Sequence, residues 1–191
     1  MIYSALDTVV SKINDFLRLK YSNQDNQLEL CNLLDQDGSL ALSESNIVIA
    51  TLVNIERENV VGINRKVEVG NNGKHIVTNP PVYINLYLLF TSVYTRKKYA
   101  EGLKKLSSII EYLQGNSVVN HSNTPQLNKQ IHKLVFEMYN LDMNNLSQLW
   151  GAIGAKYMPS VLYKLRMLPI DQEYIKAELP SISQPNLKAG L

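Results

Sequence analysis

The longest run of β-forming residues, Val82 to Tyr94, limits the fold more than any other stretch of the sequence. Read with a period of two, one of its faces is apolar throughout, whereas the other mixes tyrosine and asparagine with leucine and threonine. The first face carries Val82, Ile84, Leu86, Leu88 and Phe90, and the second carries Tyr83, Asn85, Tyr87, Leu89 and Thr91. Such a second face suits cover by another element or by a neighbouring subunit. We therefore predict a central strand that begins after Pro80 and Pro81, because proline has no backbone N–H.

Two amphipathic helices are predicted to cover the sheet that this strand requires. Ile2 to Tyr21 spaces its apolar residues by three and four, with Ser4 as a candidate N-cap. The second helix runs from Arg96 to about Gln114, and its basic start is interpreted as a solvated helix face. Its apolar stripe consists of Tyr99, Leu103, Leu106, Ile110 and Leu113.

Further strands are predicted at residues 27–34, 46–58, 131–141 and 160–169. In the last of these, Lys164 and Arg166 share a face with Leu162 and Leu168, opposite Val161, Tyr163, Leu165 and Met167. Because two basic residues lie on it, that face is predicted to be exposed at an edge or an interface.

A short helix is predicted over Asp142 to Trp150. Asn144 or Asp142 is its N-cap, and Gly151 and Gly154 end it. Its buried residues are predicted to be Leu146, Leu149 and Trp150.

Two turn-forming stretches partly match the pattern of a binding loop, but an ordinary turn explains each of them better. Gly70 to His75 resembles a phosphate loop, but only two residues separate its glycines, where a phosphate loop has four, and no hydroxyl follows the lysine. We predict a β-hairpin over Lys66–Val69 and His75–Thr78, within a flap at 62–80. Asp35 to Ser39 fills part of a calcium-loop pattern, yet Leu33 occupies the first ligand position, so we predict an ordinary Asp-Gly turn.

The predicted fold class is therefore α/β (α+β), with one domain at 1–170 and an extended C-terminal arm at 171–191. A mixed, mainly antiparallel sheet of about four to five strands is packed by two long helices and one short helix. The hairpin protrudes from this body. The arm, which contains Pro180 and Pro185, is expected to have little core of its own.

Charge and cysteine content exclude several classes of function. The 191 residues carry a net charge of +2, far from the concentrated positive field of a nucleic-acid-binding protein. Cys31 is the single cysteine, which excludes an internal disulfide and any multi-cysteine metal site. We find no signal peptide and no run of roughly 18 apolar residues, so we expect no membrane partner and synthesis in the cytoplasm.

Catalytic patterns are mostly absent. His75, His121 and His132 have no helical metal-site spacing, and no nucleophile elbow or dinucleotide loop occurs. We expect no catalytic residue, metal or cofactor. The competing interpretation is a soluble α/β enzyme or ligand-binding domain, whose residues would converge only in space.

Tyrosine is the aromatic residue that dominates, with eleven copies against three phenylalanines. Tyrosine can be half-buried and hydrogen-bonded at once, which subunit interfaces favour, although several tyrosines could simply cover the core. We therefore prefer an assembly protein. The candidate interface residues are Tyr83, Asn85, Tyr87, Trp150, Tyr157, Lys164, Arg166, Asn71, Asn72 and Lys74.

Three stretches together resemble the Pvc16-type tail terminator family, also described as domain of unknown function 4255, of phage-like contractile injection systems. They are the helix start at Ile2 to Asp7, the strand from Asn79 to Tyr87 with the helix that follows it, and Asn145 to Gly154 leading into Tyr157 to Arg166. The resemblance spans about Met1 to Pro169.

The resemblance implies a structural cap without enzymatic activity. Such a cap is a homo-hexameric ring that ends the inner tube protein's polymer and binds the last ring of the sheath protein. It would be assembled in the bacterial cytoplasm and then form part of an injection particle. Another ring component of the same particle, in the tube or the baseplate, is the alternative within this class. The flap is expected to reach the tube, and the arm to pair with a neighbouring subunit by strand addition.

Overall fold

Nine strands and three helices are formed by the residues that the computed structural model describes, which are 1–41, 46–58, 66–69, 75–78, 82–170 and 175–179. In chain order they are α1 (Ile2–Tyr21), β1 (Leu28–Leu30), β2 (Ile47–Arg57), β3 (Lys66–Val69), β4 (His75–Thr78), β5 (Val82–Val93), α2 (Tyr99–Gly115), β6 (Val118–Asn120), β7 (Lys133–Tyr139), α3 (Met143–Ile153), β8 (Ser160–Ile170) and β9 (Ile175–Leu179). A short 3₁₀ turn at Arg96–Lys98 leads into α2. No helix in these ranges is long and apolar enough to cross a membrane.

Six strands form one mixed sheet in the order β1-β2-β5-β8-β7-β6. All neighbours are antiparallel except β1 and β2, which are parallel. The α+β fold with a mainly antiparallel sheet is confirmed, and β5 lies between β2 and β8 as a central strand should. The sheet has six strands rather than four to five, because β6 is only three residues long and too short to show a periodicity.

The two faces of the sheet are covered differently. Leu86, Leu88 and Phe90 of β5 lie in the main core, which α1 and α2 cover. Leu89 and Val93 point to the other side, into a smaller cluster with Trp150 of α3. The alternation predicted for β5 is therefore confirmed from Ile84 to Phe90, whereas Val82 at the start of the strand is 43% exposed. We call the side that carries α3 the second face.

Helix α2 is rotated relative to the prediction. Tyr99 and Leu103 were predicted to face the core, but their exposed fractions are 51% and 38%. Gly102 and Lys105 face inward instead, together with Leu106, Ile109 and Leu113. Lys105 donates to Gln27, its ammonium lies 3.1 Å from the centre of the Tyr21 ring, and burial lowers its pKa.

Gly102 explains this rotation. A Cβ at this position would lie 2.6 Å from the Tyr94 ring and would also overlap Ser92 Oγ. Only a residue without a side chain lets α2 approach the end of β5 this closely. The close approach therefore decides which side of α2 faces the core.

Strand β8 also departs from the prediction. It lies between β5 and β7, so it is not an edge strand. The register against β5 shifts between Ile84 and Leu86, which gives β8 one extra residue. Leu168, predicted on the basic face, is for this reason fully buried in the main core. The side chain of Met167 lies outside the part of the chain that the structure describes.

The helix ends differ from the predictions in detail. Helix α1 starts directly after Met1 without a side-chain cap, so Ser4 lies inside the helix and is not its cap. Asp142 caps α3, since its carboxylate accepts from the Asn145 N–H at 2.8 Å. Helix α3 continues through Gly151 to Ile153, and Gly154 ends it with a φ of 79°.

The hairpin is confirmed, because β3 and β4 pair antiparallel with Lys66 opposite Thr78. The predicted C-terminal arm contributes β9, which pairs with β4 in a separate three-stranded sheet of this same chain. Residues 42–45, 59–65, 70–74, 79–81, 171–174 and 180–191 lie outside the described residues. They include both ends of the flap and most of the arm.

The Asp35 to Ser39 stretch is the predicted turn. Gly38 donates to the Asp35 carbonyl at 3.0 Å with a φ of 81°, and Asp37 accepts from the Ser39 N–H at 2.9 Å. The described ranges contain no group of three His, Cys, Asp or Glu residues that could hold a metal ion.

Gly102→Ala should lower the free energy of unfolding by about 1–3 kcal/mol, because the added methyl group forces α2 away from Tyr94. Urea denaturation followed by circular dichroism measures this. Gly115→Ala is the matched control, since a Cβ there meets nothing within 4 Å and should leave stability unchanged or raise it by up to about 1 kcal/mol. Equal effects of the two substitutions would contradict the close approach.

Candidate protein–protein interface

The second face of the sheet contains most of the residues that the sequence marks as interface candidates. At one end, α3 covers Leu89, Val93 and Leu162. At the other end, four neighbouring strands carry polar side chains, and we call these the polar cluster. It consists of Glu56, Glu58, Asn85, Tyr87, Glu137, Lys164 and Arg166.

A β-bulge brings the glutamates of β2 to this face. Strict alternation would put Glu56 on the same side as Val48 and Ala50, which lie in the main core. The register against β5 instead shifts between Leu52 and Asn54, so that Glu56 lies opposite Asn85. The extra residue therefore turns the carboxylates from the core face to the second face.

Glu58 is the most buried charge of the polar cluster, with an exposed fraction of 7%. Its carboxylate accepts from Arg166 Nε at 3.3 Å and Nη2 at 3.2 Å, and from Asn85 Nδ2 at 3.1 Å. Arg166 also donates through Nη1 to Glu137 at 3.0 Å. These contacts raise the pKa of Arg166, and the contact with Glu137 has a larger effect than those with Glu58. One guanidinium of β8 thus links the end of β2 to β7.

Glu56 and Tyr87 form the second part of the polar cluster. The Tyr87 hydroxyl donates to Glu56 at 2.6 Å, and Lys164 Nζ lies 3.3 Å from the same carboxylate oxygen. The hydrogen bond from Tyr87, followed by the contacts of Lys164, lowers the pKa of Glu56. Burial and that same hydrogen bond raise the pKa of Tyr87. The Tyr139 ring packs edge-on against Tyr87 at 5.2 Å between centroids, which fixes the phenol.

Helix α3 adds a surface without charge beside the polar cluster. None of its residues from Met143 to Ile153 is ionisable. Met143 has an exposed fraction of 79%, and Tyr157, which packs edge-on against buried Trp150 at 5.6 Å, has one of 64%. Interface centres are depleted in charge and enriched in aromatic residues and methionine. This helix therefore has the composition of a contact surface.

Seven of the ten predicted interface residues lie on this side of the molecule. Asn85, Tyr87 and Trp150 are buried within the chain, so they hold their neighbours in place. Tyr157 is exposed, and Tyr83, Lys164 and Arg166 are partly exposed. Asn71, Asn72 and Lys74 lie outside the described residues.

Sequence reasoning missed the three glutamates and Met143. The charged end of β2 was visible in the sequence, but the bulge that turns it toward Lys164 and Arg166 leaves no trace there. The chemistry of the polar cluster is that of a rigid surface, because its carboxylates are engaged by cations, an amide and a phenol.

Two solved structures share the architecture of this chain. One likeness is to the sheath/tube terminator of PVC, an extracellular contractile injection system, in its extended state. The TM-score is 0.63 at 17% sequence identity, over 96% of this chain and 62% of that one. A second is to the anti-feeding prophage cap, a tube-terminating cap, with a TM-score of 0.59 at 14% identity, over 94% of this chain and 59% of that one. At these identities the likeness shows a shared fold, and this chain spans about three-fifths of their length.

The family model of the Pvc16 N-terminal domain matches residues 8–184. The chain therefore belongs to this family, which confirms the resemblance seen in the sequence. No curated protein matches the chain.

Arg166→Met should lower the free energy of unfolding by about 2–4 kcal/mol, because it removes a cation from the buried carboxylate of Glu58. Lys164→Met is the matched control. Its partner Glu56 is about half exposed, so the loss should stay below about 1 kcal/mol. Chemical denaturation of both variants measures the difference, and a larger loss for Lys164→Met would refute this assignment.

The lowered pKa of Glu56 predicts a pH-dependent share of stability. Ionised Glu56 stabilises the fold above its ordinary pKa of 4.5, and this stabilisation is lost as the pH falls through the lowered value. The difference in unfolding free energy between wild type and Glu56→Gln should therefore be largest at neutral pH and shrink in acid. A difference that stays constant across this range would argue against the hydrogen bond from Tyr87.

Proposed function

We propose that this protein is a structural cap that ends the inner tube of a contractile injection particle and binds the last ring of its sheath. The observation that carries the proposal is the family match over residues 8–184, within a fold shared over nearly the whole chain with a sheath/tube terminator. The role is geometric rather than catalytic.

The proposed cap is a hexameric ring of identical copies. A terminator must match the growing end of a polymer on one side and offer no further site on the other. Contacts between different patches of identical subunits either close into a ring or continue as a filament. A closed ring therefore provides the required stop. Assembly takes place in the cytoplasm, and the ring then remains in the particle.

The second face supports a role as a contact surface. Charge-free α3 and exposed Tyr157 are suited to burial against another protein. The polar cluster beside them holds four strands in fixed relative positions, so little ordering is required when a partner binds. We assign this face to contact with a neighbouring copy or with the tube.

Tubes assembled from tube and sheath proteins should have a defined length when this protein is co-expressed, and become longer and ragged without it. Negative-stain electron microscopy measures the length distribution. Met143→Glu should behave like the absence of the protein, because it places a charge on the exposed side of α3.

Leu19→Glu is the matched control, since Leu19 is equally exposed but lies on α1, away from the second face. It should leave tube length unchanged. Tubes of unaltered length without this protein would contradict the cap function, whereas an inactive Leu19→Glu variant would contradict only the choice of surface.

A further inference from the structure

The outer side of α2 exposes apolar residues and buries a lysine. Tyr99 and Leu103 are four residues apart and face outward, while Lys105 is buried. Two large apolar side chains side by side on an exposed helix favour contact with another surface. A single exposed leucine would need no explanation. In α2, however, two residues of the apolar stripe face outward while a lysine faces the core.

Four cations surround this apolar pair. Arg96, Lys97, Lys98 and Lys104 are exposed, and none of them forms an ion pair with another described residue. We call this surface the basic stripe; it consists of Arg96, Lys97, Lys98, Tyr99, Leu103 and Lys104. These residues carry a charge of +4, and Glu101, which lies between Tyr99 and Leu103 in the sequence, lowers the net charge of this part of the surface to +3. That charge is small for nucleic acid, so an acidic protein surface is the better complement.

The same chain carries such a surface. A groove of about 460 Å³ runs between α1 and β1, and its walls include Asp7, Asp15 and Glu29. Arg18, which pairs with Asp15 at 3.1 Å, is the one cation among the described lining residues, so these carry a net charge of −2. Tyr3 and Leu30 give the groove an apolar part as well. We call it the acidic groove.

The two surfaces remain separate in one copy. No ion pair among the described residues joins them. Helix α1 meets α2 through Phe16 and Tyr21, and it turns Tyr3 and Asp7 toward the groove. Each surface is therefore left to pair with a different molecule.

We propose that the basic stripe of one copy docks into the acidic groove of the next copy. This contact joins two different patches of identical chains, which is the geometry that closes into a ring. Opposite charges bring the subunits into register, and Tyr99 and Leu103 supply the apolar area at the centre. The inference rests on the proposed ring and names the surfaces that form it.

Two charge-reversed variants test the contact. Lys97→Glu with Lys98→Glu makes the stripe acidic, and Asp7→Lys with Glu29→Lys makes the groove basic. Sedimentation velocity over a concentration series should show association of the wild type. Each variant alone should associate more weakly by on the order of tenfold or more, because like charges then meet. A 1:1 mixture of the two should associate again, since each reversed surface finds its complement on the other variant.

Lys129→Glu with Lys133→Glu is the control, because it makes the same change in charge at two other exposed positions. It should associate as the wild type does. If the wild type associates and neither charge reversal weakens this association, the inference is overturned but the proposed ring is not. The inference is also overturned if only the stripe variant associates more weakly and the 1:1 mixture does not restore association. The stripe would then bind another acidic partner. A wild type that never associates, alone or at a tube end, would overturn both the ring and the inference.

Discussion

The pairing of β5 with β2 on one side and β8 on the other is the constraint on which the rest of the structure depends. This strand offers apolar side chains to one face and tyrosine, asparagine and leucine to the other. Helices α1 and α2 use the first face to build the main core. Among the described residues, the second face receives one short helix together with Leu33, so it is the side of the sheet that we assign to contact with another protein.

Two local irregularities convert this sheet into a specific surface. The bulge in β2 moves Glu56 and Glu58 to the second face, and the shift in β8 leaves Lys164 and Arg166 there while sending Leu168 to the core. Opposite charges then meet across three strands. A sheet with strict alternation would have turned these two carboxylates to the face of the main core and left the cations without these partners. The polar cluster is therefore a consequence of the bulges as much as of the residue types.

Periodicity in the sequence predicted the long elements well, and the glycine-asparagine turn predicted the short hairpin. The bounds of α1, β3 and β4 agree with the structure, and those of β2 and β5 differ by a residue or less at each end. What it could not show were features that depend on contacts between elements. The rotation of α2 depends on Gly102 meeting Tyr94, and the polar cluster depends on bulges at Leu52 and Ile84. Strand β6 was missed because three residues are too few for a pattern. The candidate site was found only in part, since tyrosine content indicated the face but not the glutamates that order it.

In the function that we propose, identical copies close around the end of a tube and leave no site for further growth. Cryo-electron microscopy of tube ends assembled with this protein tests that account most directly. It predicts a single closed ring at the end of the tube, with α3 or the polar cluster buried against the tube or against a neighbouring copy. Isolated copies at the end, or copies added along the length of the tube, would contradict it.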